Sequence, residues 1–241
     1  MEFQFNKDYL SDETTPRPTR EGQGGGSLYR KLKITEMNRI SVQQFHDAEK
    51  LPLVVVLDGV RSLYNVGSVF RTADAFRLTG VVLCGITATP PNAEIHKTAL
   101  GAEDSVAWKH FNDTMEAVQW LRDEGYTLLA IEQCEGSTML NDFHPNLTKG
   151  PKSLPSRGYL EGSKTLPPQL VLEGSSSLPS QLDLEGSKYA VILGNEVKGV
   201  QQCVVDACDG CIEIPQFGTK HSMNVSVTAG IIIWHFAQQR L

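Results

Sequence analysis

No stretch of the 241-residue sequence approaches the ~18 consecutive apolar residues of a membrane-spanning helix, so no membrane span is expected. The opening residues, MEFQFNKDYLSDETTP, lack the basic and then apolar blocks of a secretory signal, and a cytoplasmic location is expected. Cysteine is scarce. Five residues, an odd number scattered along a mid-sized chain, do not make the disulfide framework of a small secreted domain and read as reduced thiols. Cys208-x2-Cys211 with Cys203 upstream raises zinc, but a structural site normally takes four ligands and no second pair lies near, so no metal is expected. An excess of positive charge is also missing: 22 Lys and Arg face 28 Asp and Glu, giving a net charge of −6. That excludes coating a nucleic acid by bulk electrostatics and leaves only local patches. The densest is Arg30, Lys31 and Lys33, which reads either as an RNA contact or as a solvated arm.

With 40% hydrophobic residues, the chain has enough apolar material for one sizeable core. Residues 1–27 hold few large apolar residues after Phe5 and end in TPRPTREGQGGGS, a composition that suits a flexible arm. From residue 28 onward one domain is expected. Ser41 and Gln44 are spaced as a capping box at the start of a helix. Beyond it, LVVVL at 53–57 reads as a buried strand, 66–76 as a helix, 81–84 as a strand and 114–124 as a helix closed by Gly125. Residues 127–131, 189–193 and 212–214 read as further strands. Strands buried on both faces and separated by helices call for an α/β fold with a mostly parallel sheet covered by helices. Ligands in such sheets lie outside the carboxyl ends of the strands, which points to the loops after Leu57, Leu193 and Ile214.

One segment, about 150–187, breaks this pattern. SLPSRGYLEGSK, TLPPQLVLEGSS and SLPSQLDLEGSK begin at residues 153, 165 and 177, a tandem repeat of period 12. Its Pro, Gly and Ser leave little per copy to bury, so the segment reads as a loosely ordered insert, or else as a protein-binding or oligomerisation module.

Three further segments carry polar residues where the α/β reading expects chemistry. In LDGVRSLYNVGSVFRTADAF, residues 57–76, Asn65 is placed to cap the helix that follows, and Arg71 lies between small neighbours, Gly67 and Ala75, on a face open enough to reach an anion. In YAVILGNEVKGV, residues 189–200, a buried strand runs into Gly194, Asn195 and Glu196; glycine there permits close approach to the backbone. Glu196 reads either as a site residue or as an ordinary helix-N-terminal carboxylate. In CIEIPQFGTKHSMNVSVTAG, residues 211–230, Pro215 ends a strand, and Ser222 and Asn224 stand where they cap the last helix, face a site, or do both.

Taken in order, these segments closely resemble the three motifs of the SpoU (TrmH-like) branch of the SPOUT superfamily of S-adenosylmethionine-dependent RNA methyltransferases. The first matches as Asn65-Val66-Gly67 with Arg71, and the second as Leu193-Gly194-Asn195-Glu196 with Gly199. The third matches as Ile214-Pro215 with Ser222-Met223-Asn224-Val225-Ser226 and Ala229-Gly230, Met223 standing where leucine is usual. The resemblance runs from about Lys31 to the C-terminus, apart from the repeats.

The resemblance implies a C-terminal trefoil knot, a homodimer with the site near its interface, and methyl transfer from S-adenosyl-L-methionine to a ribose 2′-hydroxyl of RNA. It puts tRNA first and rRNA next; methylation of a base and a non-catalytic RNA-binding role are further alternatives. It assigns catalysis to Arg71, Asn65, Glu196, Ser222 and Asn224. It assigns the cofactor to Leu193, Gly194, Asn195, Gly199, Ile214, Ser222 and Met223. Arg30, Lys31, Lys33, Arg71 and Lys220 are the candidate RNA contacts. Trp234 and Phe236 of the last helix are candidates for the dimer contact.

Overall fold

A computed structural model describes residues 30–33, 36, 37, 39–145 and 188–240, the side chain of the last excepted. The N-terminal arm through residue 27 and the repeats lie outside the described residues. The residues fall into two units, one ending at Arg39 and one running from Ile40 to Leu241. In the first, Arg30 donates from both terminal nitrogens to Glu36 at 2.9 and 3.0 Å, and the Lys33 N–H joins the same carboxylate at 2.7 Å. Arg30 is therefore charge-paired, whereas Lys31 and Lys33 are exposed.

The second unit is an α/β fold. Its elements are α1 (Val42–Asp47), β1 (Leu51–Asp58), α2 (Leu63–Ala75), β2 (Leu78–Cys84), α3 (Ala93–Ala99), α4 (Ala102–Ser105), β3 (Trp108–Phe111), α5 (Thr114–Asp123), β4 (Tyr126–Ile131), β5 (Thr138–Met139), β6 (Lys188–Leu193), α6 (Gln202–Asp206), β7 (Gly210–Glu213) and α7 (Val225–Ala237). The seven strands form one sheet, ordered β3-β2-β1-β6-β4-β7-β5, and every pairing is parallel. The expected capping box is present: Ser41 accepts from the Gln44 N–H, and Gln44 accepts from the Ser41 N–H.

Burial explains the runs of Val, Leu and Ile. All eight residues of β1 and all seven of β2 are buried, as a parallel sheet covered on both faces requires. Leu53, Val55 and Leu57 point into one core, with Val69 and Phe70 of α2 and Ile232 and Phe236 of α7. Val54 and Val56 point into the opposite core, with Leu121 of α5 and Val204 of α6. Each such side chain stabilises the fold by about 1.5–3 kcal/mol relative to leaving it in water.

The strand order sets where a site can form. From β1 the chain moves outward through β2 and β3, then returns to place β4 on the other side, with the later β6 between β1 and β4. The carboxyl ends of β4, β6 and β7 thereby lie side by side, with Ile131 level with both Leu193 and Ile212. No helix among the described residues is long and apolar enough to cross a membrane.

Two expectations for the helices need correction. Phe236 is 1% exposed, its ring 5.2 Å from that of Tyr189, so it belongs to the core and not to a dimer contact; Trp234, 48% exposed, rests edge-on against Phe76. The room left by Gly67 is also not available to Arg71. A Cβ on Gly67 would lie 2.1 Å from Thr98 Oγ1 and 2.3 Å from the Ile95 carbonyl oxygen, so this glycine lets α2 and α3 touch.

Candidate functional site

Each of the three motif segments passes the carboxyl end of a parallel strand, and hydrogen bonds draw them together. Asn65 is not the cap of α2, as its position in the sequence suggests. Ser62 is the cap, its side chain accepting from the Asn65 N–H. Asn65 lies inside the first turn, 8% exposed, and its amide is left for other partners. Its Nδ2 donates to Glu196 Oε1 at 3.2 Å, and its Oδ1 accepts from Asn224 Nδ2 at 3.1 Å. Asn224 caps α7, its Oδ1 accepting from the N–H groups of Ser226 at 2.9 Å and Val227 at 3.3 Å.

Charge fixes the direction of this relay. An ionised carboxylate only accepts, so Asn65 must turn its NH2 toward Glu196 and its carbonyl toward Asn224; Asn224 must then donate to Asn65 and cap with its oxygen. One side chain from each motif is thus hydrogen-bonded to the next.

Glu196 also accepts from the Arg61 N–H at 3.1 Å and the Ser62 N–H at 3.0 Å, the free donors at the start of α2. Partial burial pushes its carboxyl up, but the N–H groups of Arg61, Glu196 itself and Ser62 and the Asn65 amide outweigh this and hold it below the ordinary glutamate range. Glu196 is both a site residue and a helix-N-terminal carboxylate. Held ionised and committed to three donors, it is a poor proton acceptor for a reaction near neutral pH.

The second motif is a closed loop. Asn195 and Gly199 exchange backbone hydrogen bonds at 2.9 and 3.0 Å, Asn195 Oδ1 accepts from the Val197 N–H, and Asn195 Nδ2 donates to the Gly59 carbonyl at 2.7 Å. Both glycines are required here, though by the protein itself. A Cβ on Gly194 would stand 2.0 Å from the Gly199 carbonyl carbon, and Gly199 has φ +68° with Glu132 Oε2 where its Cβ would be. The close approach expected of a ligand at Gly194 is made by the far side of the same loop.

A cleft of ≈ 440 Å³ opens beside this loop, at the ends of β4, β6 and β7. All seven residues matched to cofactor binding line it: Leu193, Gly194, Asn195, Gly199, Ile214, Ser222 and Met223. Glu196 lines it as well. Asn65 and Asn224 are not in its wall and reach it only through the relay. Arg71 stands apart: it is exposed, about 9 Å farther along α2 than Asn65, and no hydrogen bond or ion pair holds it among the described residues. Lys220 is exposed on the loop before α7.

Sequence reasoning missed the loop after β4. Glu132 accepts from the Val200 N–H at 3.0 Å, clasping the second motif, and Gln133 Nε2 donates to the His221 carbonyl at 2.7 Å, clasping the third. Asp58, 3% exposed, takes Thr114 Oγ1 at 2.6 Å and Gln201 Nε2 at 2.8 Å and so ties β1 to the end of the second motif. The signal for Glu132 and Gln133 was their place at the carboxyl end of a parallel strand, a rule applied in the sequence to three other strands. Burial pushes the thiols of Cys208 and Cys211 up to about 12, with Cys134 contributing at Cys211, so both stay protonated at neutral pH.

The sequence model of the SpoU rRNA Methylase family matches residues 52–234, and this span contains every motif in the cleft and the relay. The chain belongs to that family. Among SpoU relatives, the 23S rRNA (guanosine-2′-O-)-methyltransferase RlmB of Neisseria meningitidis is 26% identical over 190 residues, covering 79% of this chain and 60% of the relative. The AdoMet-bound rRNA methyltransferase of Sinorhizobium meliloti superposes with a TM-score of 0.59 at 21% identity, over 86% of this chain and 63% of that one. The TrmH/SpoU tRNA modifying enzyme of A. aeolicus gives 0.58 at 20% identity, over 83% and 82%. The two superpositions establish a shared fold. The chain spans 60% of the Neisseria protein's length.

Proposed function

We propose that the protein transfers a methyl group from S-adenosylmethionine to the 2′-hydroxyl of a ribose in structured RNA. One observation carries the reading above the others: the residues matched to cofactor binding line a single cleft, and Glu196 in its wall is hydrogen-bonded to Asn65 and through it to Asn224. The cleft is of small-molecule size, and its walls combine apolar Leu193, Ile214 and Met223 with polar Gln133, Gln202 and His221. That mixture suits a ligand with a flat adenine ring at one end and a zwitterionic amino acid at the other. Bound there, S-adenosylmethionine would supply an electrophilic methyl group on a sulfonium.

Backbone around Leu193, Gly194, Ile214 and Met223 would hold the adenosine, while the closed Asn195–Gly199 loop and its Glu132 clasp keep that surface in place. Rate then comes chiefly from alignment of the hydroxyl with the methyl group. Ser222, exposed in the cleft lining, and the relay shape the place where the ribose enters. Arg71 is not read as the proton acceptor, because a guanidinium offers five N–H donors and no acceptor. It binds an RNA phosphate and stabilises the developing alkoxide, with the proton passing to solvent or to that phosphate. Its position on α2, outside the cleft, accords with a substrate contact. An Arg71→Lys variant is expected to lose turnover at least tenfold, because an ammonium cannot reproduce the planar fork.

The 2′-hydroxyl itself selects RNA over DNA. Transfer RNA is the first substrate on the motif resemblance; the name of the Neisseria relative favours ribosomal RNA as the second. Lys31, Lys33 and Lys220 are the remaining RNA contacts, and a cytoplasmic homodimer completes the reading. Calorimetry with S-adenosylmethionine tests it first: no detectable binding would overturn it. Mapping 2′-O-methyl sites in RNA from cells with and without the protein then decides between tRNA and rRNA.

A further inference from the structure

Between Ile214 and Asn224 the chain forms the loop that joins β7 to α7 along the cleft. Both feet are fixed. Ile214 packs against the main core, the Gln133 amide grips the His221 carbonyl at 2.7 Å, and Asn224 is bound into the relay. The crown between them is open: residues 216–220 are all exposed, and a Cβ on Gly218 would meet nothing within 4 Å. At its centre Phe217 is 98% exposed, the most exposed large apolar side chain among the described residues. Its neighbour Gln216 lines the cleft, as do His221 and Ser222 on the other side.

Charge points to the kind of molecule that covers the ring. The chain carries a net charge of −6, yet residues 214–224 contain no Asp or Glu and do contain Lys220 and His221. A protein partner would be expected to find a cluster of apolar side chains ringed by polar ones. Here a single aromatic ring stands among Gln, Gly, Thr, Lys and His. An isolated aromatic beside a cation is the arrangement that stacks an unpaired nucleic-acid base and holds the adjoining phosphate.

We propose that Phe217 is a stacking platform for an RNA base beside the ribose presented to the cleft, with Lys220 holding the neighbouring phosphate. The inference rests on reading the cleft as the methyl-donor site. The fixed feet matter to it, since a platform raised on anchored supports sets the distance between the stacked base and the cleft.

The test uses the full chain, tritium transfer into total RNA from cells lacking the protein, and calorimetry with S-adenosylhomocysteine. Phe217→Ala is expected to raise the RNA concentration for half-maximal transfer about 5- to 150-fold, the range spanned by loss of one stacked base. Phe217→Trp is expected to restore it, and Phe217→Leu, apolar without a π-face, to remain impaired. All three variants are expected to bind S-adenosylhomocysteine as the unaltered protein does, which also reports an intact fold. An unchanged RNA dependence in Phe217→Ala, or full function in Phe217→Leu, would overturn the stacking role. So would a change in sedimentation of Phe217→Ala, which would show the ring covered by a second copy of the chain. Failure of the unaltered protein to bind S-adenosylhomocysteine would instead overturn the reading of the cleft on which the proposal rests.

Discussion

The starts of α2 and α7 are both helix N-termini at the carboxyl end of the sheet, and each carries an asparagine of a motif, yet the two asparagines do different work. At α7 the asparagine is the cap: Asn224 Oδ1 takes the N–H groups of Ser226 and Val227, and only its NH2 is left to reach outward. At α2, Ser62 caps and Glu196 accepts the N–H groups of Arg61 and Ser62, so Asn65 keeps both ends of its amide for the relay. A helix terminus satisfied by its own residue serves chiefly stability. One satisfied by a distant loop makes its geometry depend on that loop, and the site gains a connection.

The comparison breaks most sharply at Glu196. Glu196→Ala removes the acceptor for two backbone N–H groups and for Asn65 Nδ2, and turnover is expected to fall about 100-fold, the scale of a misplacement near 1 Å. Methyl-transfer assays at saturating donor and RNA read the loss; near-normal turnover would show the relay to be structural only. Next, Asn224→Asp separates capping from relaying. The carboxylate still caps α7 and suits the positive end of its dipole, but it cannot donate to Asn65. Thermal unfolding is expected to stay within about 2 °C of the unaltered protein while turnover drops about tenfold, the worth of one hydrogen bond among aligned groups.

A smaller effect is expected at Ser62. Ser62→Ala deletes the cap of α2, ordinarily worth about 1 kcal/mol, but Glu196 still accepts from that terminus, so a fall of only about 1–3 °C in melting temperature is expected. A larger loss than for Asn224→Ala would reverse the comparison. The gentlest probe is acid. Because the folded Glu196 carboxyl lies below its unfolded value of about 4.3, its contribution is complete above that pH and is lost as pH falls through the folded value. Glu196→Gln is therefore expected to flatten the acid limb of the stability profile below pH ~4 and to leave the shape near neutrality unchanged.

Much of this architecture is legible in the chain, because β1, β2 and β6 are continuous apolar runs with a single structural meaning. The short β3 and α4 are not, since four residues carry no periodicity, and β5 exists only as two residues paired with β7. The cap of α2 was misplaced by one turn. Ser62 and Asn65 are both good caps three residues apart, and what selects Ser62 is a carboxylate 134 residues away in sequence. Gly67 was read as clearing room for Arg71 and Gly194 as permitting close approach of a ligand, but each space is filled by the protein itself, which local sequence cannot show. Glu132 and Gln133 sit in no motif; only the placement of β4 beside β6 and β7 makes them clasps. In contrast, the seven residues that the motif resemblance matched to cofactor binding do share one cleft, with Leu193, Gly194, Asn195 and Ile214 at or just past the ends of β6 and β7.

The connection from β4 to β6 has a consequence for how this protein can be handled. Before the repeats the chain passes through Phe143, and after them it re-enters at Lys188 and Tyr189; the rings of Phe143 and Tyr189 are 6.2 Å apart. The point of departure and the point of return are therefore neighbours, joined in one aromatic cluster with Phe236. Lys188 pairs with Tyr126 at the amino ends of the strands, whereas the cleft lies at Ile131 and Leu193. Two flanks that meet on the far side of the sheet from the cleft mark a natural graft site. A purification tag or a fused domain introduced between residues 145 and 188 is therefore expected to leave the cleft undisturbed, its linker adding a closure cost that grows only with the logarithm of its length.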